Sequence, residues 1–135
     1  MKKKISIILL ASLPVLSCSN GPKPENVAEE FLNAYLSTDY EKAASLCTPS
    51  LNKDLLKALE ERDALDEKIK ENIKRHTQHY KPQINTTSLN KNRDTAIVEY
   101  SVINTPATAA SSDYSIESRL SLVKDKDGWK INALN

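Results

Sequence analysis

Glycine is scarce in this chain. Only Gly21 and Gly128 occur in 135 residues. No segment between them can form a glycine-rich phosphate cradle, which excludes P-loop and Rossmann nucleotide sites. Histidine is as rare, with His76 and His79 the only two. They stand three apart on a helical segment, so both rings can face one ion. Zinc, however, takes three or four ligands at defined spacing. There is no His-Glu-x-x-His sequence and no paired cysteine motif, so no metal site and no cofactor are expected. An excess of either charge is also missing: 19 Lys and Arg stand against 18 Asp and Glu. Nucleic acid demands clustered basic charge, and a nearly neutral chain lacks that footprint. Long apolar runs are absent too. The longest, Ile5–Leu16, is broken by Pro14 and falls well short of the roughly 20 residues that span a bilayer.

What the chain does have begins at its start. Lys2, Lys3 and Lys4 form a positive segment, Ile5–Leu16 an apolar one, and Ser17-Cys18 follows. This is the order of a secretory signal peptide. Val15-Leu16-Ser17-Cys18 resembles the lipobox of bacterial lipoproteins, with Val15 and Leu16 departing from its usual first two positions and Ser17 supplying the small residue. The resemblance implies cleavage after Ser17 and a diacylglycerol thioether (and acyl chains such as palmitate) on Cys18. The alternative is ordinary secretion with an incidental thiol. The 135-residue chain less its first 17 leaves 118 residues, one domain's worth. Each buried methylene of an acyl chain contributes about 0.8 kcal/mol, so two or more chains hold such a domain on a bilayer. With Cys18 lipidated, Cys47 is the one free thiol, and its neighbours Ala43, Ala44 and Leu46 mark it as a buried structural residue. Residues 1–17 are thus expected to be the signal, 18–24 the lipidated cysteine and tether, and 25–135 a single domain.

Periodicity divides that domain in two. Glu25–Thr38 carries Val27, Phe31, Tyr35 and Ala28, Leu32, Leu36, each set spaced by four, which predicts a helix with a broad apolar face. Asp39–Cys47 reads as a short second helix capped by Asp39. Ser50–His79 has no Gly or Pro, and Leu51, Leu55, Ala58, Leu59, Leu65, Ile69, Ile73 and Tyr80 fall on one stripe. Unbroken, it would be about 45 Å long, so a bend is expected at Glu60–Asp66, where the stripe thins. Arg62 lies in that bend. It is expected to be solvated there, the functional alternative being an arginine directed into a pocket. From Pro82 the period changes to two. Pro82–Leu89, Thr95–Asn104, Tyr114–Lys124 and Trp129–Leu134 read as strands, with turns at Asn90–Asp94 and Lys126-Asp127-Gly128. Ala96, Val98, Tyr100 and Val102 are assigned one face with Tyr114, Ile116, Leu120 and Leu122. Glu99, Ser101, Glu117, Arg119, Ile97 and Ile103 take the other. Helices followed by strands give an α+β fold: N-terminal helices packed on one face of an antiparallel sheet of about four strands.

In this order the chain carries Val27–Cys47 (VAEEFLNAYLSTDYEKAASLC), Asp94–Glu99 (DTAIVE) and Leu122–Ile131 (LVKDKDGWKI). Together these resemble the nuclear transport factor 2-like fold, in particular small bacterial lipoproteins with a lumazine-binding-like or cystatin-like domain. The resemblance implies a curved sheet wrapped around the first helix, enclosing a cone-shaped cavity. It also implies that some relatives place carboxylate, histidine or tyrosine groups there for catalysis, while others bind ligands or dimerise through the sheet.

Tyr35, Arg62, Tyr100, Tyr114 and Trp129 are the candidate pocket residues. No catalytic residue is assigned, since no Asp or Glu falls on the faces given to the core. The expected function is a non-enzymatic ligand- or protein-binding lipoprotein held at the membrane through Cys18, a homodimer or envelope partner being the expected associate. A cavity-based isomerase- or hydrolase-like enzyme and a structural accessory of an envelope complex are the alternatives. Ser19 is not the aspartate linked to inner-membrane retention, and Ser19–Lys23 has no acidic cluster. The expected location is therefore the periplasmic face of the outer membrane.

Overall fold

The computed structural model describes residues 21–104 and 114–135. Four helices precede four strands: α1 (Pro24–Leu36), α2 (Tyr40–Ser45), α3 (Pro49–Asp63), α4 (Glu67–Thr77), β1 (Tyr80–Leu89), β2 (Thr95–Asn104), β3 (Tyr114–Asp125) and β4 (Gly128–Leu134). The strands form one antiparallel sheet in the order β1-β2-β3-β4. The expected α+β architecture is the observed one.

Local sequence explains the boundaries. Pro24 and Pro49 sit in the first turns of α1 and α3, where the missing N–H costs nothing. Asp39 and Asp66 cap α2 and α4, accepting from Lys42 N at 3.2 Å and Lys68 N at 2.8 Å. The Asp66 cap produces the break foreseen near Glu60–Asp66. It falls at 64–66, because Asp66 offers its carboxylate to a new helix start and so competes with continuing the old one. At the β1–β2 turn, Asn90 Oδ1 accepts from the Asp94 and Thr95 amides at 2.9 and 3.0 Å. Gly128 opens β4 at φ 113°, a backbone that a side chain would strain.

The core lies between α1 and one face of the sheet. Phe31, Leu32, Val98, Leu120, Leu122 and Ile131 are its largest fully buried side chains. Each is removed from water at a gain of about 1.5–3 kcal/mol. α1 packs on β1, β2 and β4, and α2 packs on α1 and α3. One contact closes the sheet onto the helices at the β4 edge. Cys47 forms a parallel bridge with Ile131, Thr48 N donates to Ile131 O at 2.8 Å, and Ile131 N donates to Leu46 O at 2.9 Å.

The long apolar stripe is less buried than its pattern predicts. Leu55 is the one buried residue of α3, and α4 has none. Ala58, Leu65 and Ile69 are exposed. The break removes the second half of the stripe from the layer that covers the sheet. Ile116 has the same parity as Leu120 and Leu122, as expected, yet it is 57% exposed. Its partner across the ladder is Val102, near the end of β2. Strand parity decides which face a side chain takes; the reach of the helices decides whether that face is covered.

Candidate functional site

Two clusters of side chains stand on opposite faces of the sheet. The first is on the helical side. Phe31 and Tyr35 stack within α1 at 5.6 Å between ring centroids, and Tyr40 packs against Tyr35 at 5.4 Å. Thr38 makes this possible. It adopts φ 63°, a left-handed conformation that a β-branched residue rarely takes, and so turns the chain back over the last turn of α1. Arg62, in the last turn of α3, lies over the Tyr40 ring at 5.8 Å and donates through Nη1 to Thr38 O at 3.4 Å. Its Nε is buried without a partner. Arg62 is therefore half-buried, and not the solvated arginine expected of a helix bend. The aromatic face beneath it and the Thr38 carbonyl draw the guanidinium inward. Burial, with the phenols of Tyr40 and Tyr100 adding to it, pushes the Tyr35 hydroxyl pKa up, so this group stays neutral.

Of the sequence candidates, Tyr35, Arg62 and Tyr100 thus gather on this side. Trp129 does not join them. It is paired with Lys124 beside the β3–β4 turn, whereas Tyr100 is paired with Ser118. Six strand residues separate these rungs, about 20 Å. Lys124 Nζ lies 5.9 Å from the Trp129 ring centre instead. Cys18 lies outside the described residues, as does the Tyr114 side chain. His76 is exposed near the end of α4, His79 lies just beyond it, and no metal-binding group of His, Cys, Asp or Glu forms among the described residues. Sequence reasoning missed Tyr40 and Thr38. The capping role of Asp39 places Tyr40 at the first helical position, which was a usable signal. The left-handed backbone at Thr38 has none.

The second cluster is on the face turned away from the helices. Alternation puts Glu99 and Ser101 of β2 on this face, and Glu117 and Arg119 of β3 lie opposite them: Ser101 pairs with Glu117, and Glu99 with Arg119. Gln83 and Asn85 of β1 complete the wall of an open groove of about 630 Å³. A bulge in β1 between Ile84 and Thr86 sets its shape. The extra residue, Asn85, swings over β2 and its Nδ2 donates to Ser101 Oγ at 2.7 Å. Thr86 Oγ1 donates to Glu99 Oε2 at 3.1 Å, which turns that carboxylate toward β1. Among the described residues, the side chains of Glu117 and Arg119 have no partner. Dimerisation through the sheet is what the family resemblance implies for this face. The strand pattern gave the residues, but a bulge has no sequence signature here, and the groove follows from it.

Comparison with known proteins adds the family. A family model described as the NTF2-like N-terminal transpeptidase domain matches residues 23–133. The chain belongs to that family. Its match spans both clusters, so both lie inside the NTF2-like domain. Among solved structures, a SEC-C motif-containing protein from Rhodopseudomonas palustris aligns with a TM-score of 0.52 and 13% identity, over 83% of this chain and 77% of that one. At this identity the likeness concerns the fold alone. A Campylobacter jejuni protein assigned to the NTF2-like transpeptidases aligns at 16% identity over 83% of this chain and 99% of its own, with a TM-score of 0.47. A protein assigned as a dehydratase of the NTF2-like family from Streptomyces avermitilis aligns at 13% identity over 81% and 93%, with a TM-score of 0.33. No curated protein matches the sequence.

Proposed function

We propose that this chain is a bacterial envelope lipoprotein whose NTF2-like domain binds a ligand without transforming it. The observation that carries the reading is the groove on the helix-free face of the sheet. Its wall is built from three adjacent strands and presents amide, hydroxyl, carboxylate and guanidinium groups. Glu99 and Glu117 are exposed there, so both carboxylates are open to contact by a bound ligand. The signal-like start supports anchoring through lipid on Cys18, with cleavage after Ser17. The absence of an aspartate at position 19 supports the periplasmic face of the outer membrane.

Anchoring is tested by growing cells that express the full chain with radiolabelled palmitate, beside a Cys18→Ala control. The expected outcome is label on the native chain alone, and label that persists in the variant sinks the assignment. Binding is tested by ligand-dependent shifts in thermal unfolding across a library of small polar metabolites, with self-association followed in parallel. A library that leaves the midpoint unmoved overturns the small-ligand reading.

A second reading, a cavity enzyme, draws on the other cluster, where a neutral Tyr35 phenol shares a half-buried site with Tyr40 and Arg62. Such a phenol can donate a proton where the guanidinium stabilises developing negative charge. It predicts an activity that Tyr35→Phe abolishes while leaving thermal unfolding within a few degrees.

A further inference from the structure

The groove carries a more specific statement about its occupant, and it rests on the binding reading above. Glu117 and Arg119 are two residues apart on β3, so they project from the same face. Their Cα atoms are separated by two strand rises, about 6.6–6.8 Å. Strand side chains stand roughly perpendicular to the sheet, so the two charged ends can be presented at a similar spacing. Neither side chain is paired with the residue directly across the ladder. Glu99, directly across from Arg119, is held toward β1 by Thr86. Ser101, directly across from Glu117, is 8% exposed and takes its hydrogen bond from Asn85. A free anion site and a free cation site thus stand side by side, with the Gln83 carboxamide at the groove wall.

A ligand that satisfies both carries an ammonium and a carboxylate about one strand repeat apart. A free amino acid is too short, because its two charged groups share one carbon. In an extended dipeptide the ammonium and the carboxylate are separated by two residues of backbone, which is the same repeat that separates Glu117 from Arg119. We propose that the groove binds a dipeptide with both termini free, its ammonium on Glu117, its carboxylate on Arg119, and its one peptide group within reach of the Gln83 and Asn85 carboxamides. Charge-assisted pairs at both ends supply most of the selectivity, and Arg119 can hold the carboxylate through two parallel N–H bonds. The groove is open to solvent, so affinity is modest and falls with added salt.

The test is calorimetric titration of the detergent-solubilised full chain with alanyl-alanine, set against alanine, N-acetyl-alanyl-alanine and alanyl-alanine amide. The expected result is saturable binding of the dipeptide, at least tenfold weaker binding of each capped form and of the single amino acid, and a tenfold or greater loss in Arg119→Gln and in Glu117→Gln. Both residues are exposed, so these variants keep the native circular dichroism melt. Equal affinity for capped and free dipeptide, or dipeptide binding that the two variants leave intact, overturns the proposal. If alanyl-alanine fails to bind while another compound raises the unfolding midpoint in a way that Arg119→Gln removes, the dipeptide assignment falls and the binding reading stands. If no compound does so, both fall.

Discussion

Cys47 offers a direct measurement of how closed the junction between helices and sheet is. Cys47 is 7% exposed, and its thiol donates to Ala43 O at 3.2 Å. Burial pushes its pKa up from 9.0 to about 12, against a smaller opposing influence from Lys130. Only the thiolate attacks an alkylating reagent. Near pH 8, a thiol of ordinary pKa is about one-tenth ionised, and one at about 12 only about one part in ten thousand, so native Cys47 should react about a thousandfold more slowly than in the unfolded chain. Steric occlusion slows it further. The assay is iodoacetamide labelling of the Cys18→Ala chain, whose single thiol is Cys47, followed by mass spectrometry with and without 8 M urea (a concentration about sufficient to unfold a domain of this size). The sign of the pH dependence also follows. The folded-state pKa lies above the unfolded one, so the stabilisation from keeping the thiol protonated is complete below pH 9. It is lost progressively as pH rises from 9 through about 12. A native labelling rate within tenfold of the unfolded rate would refute the buried, protonated assignment.

Other outcomes follow from the same packing. Leu122→Ala removes a fully buried side chain from the middle of the core and should cost about 2–5 kcal/mol in urea denaturation, with an unchanged m-value. Asp39→Ala removes the α2 cap and should cost about 0.5–2 kcal/mol, whereas Asp39→Asn should cost much less. At Arg62, methionine keeps the aliphatic cover over Tyr40 and removes an orphaned buried Nε. Arg62→Met is therefore expected within about 1 kcal/mol of the native stability, with Arg62→Ala clearly worse, as read by thermal unfolding.

Much of the fold is legible in the sequence because the signals are local. Period-two alternation in Thr95–Asn104 assigns each side chain of β2 its face. Asp39 and Asp66 end one helix and begin another. The thinning stripe at Glu60–Asp66 locates the break. What is not legible depends on distance in space. Ile116 and Leu122 follow the same alternation, yet Leu122 is fully buried and Ile116 is exposed. Arg62 reads as a solvated residue until the reversal at Thr38 brings Tyr40 under it. The groove needs the extra residue at Asn85, and Ile84–Thr86 (INT) carries no glycine or proline that announces a bulge. Grouping Trp129 with Tyr35 required knowing how far along the sheet each one sits, and periodicity does not measure that.

Every strand of this sheet pairs with its neighbour in the chain, so the ladders can form by successive hairpin closures over short stretches of sequence. The bridge between Cys47 and Ile131 is different in kind. It ties the α2–α3 connection to a residue in the middle of β4 and encloses most of the sheet in its loop. The entropic cost of closing such a loop is met late, once the hairpins have shortened the effective path between its ends. Folding should therefore proceed from the β meander toward the helices, with docking of the α2–α3 connection as the last step. A chain lacking β4 would keep its local hairpins and leave the Leu46–Thr48 edge without a partner, which makes the last strand the part that commits the domain to its final shape.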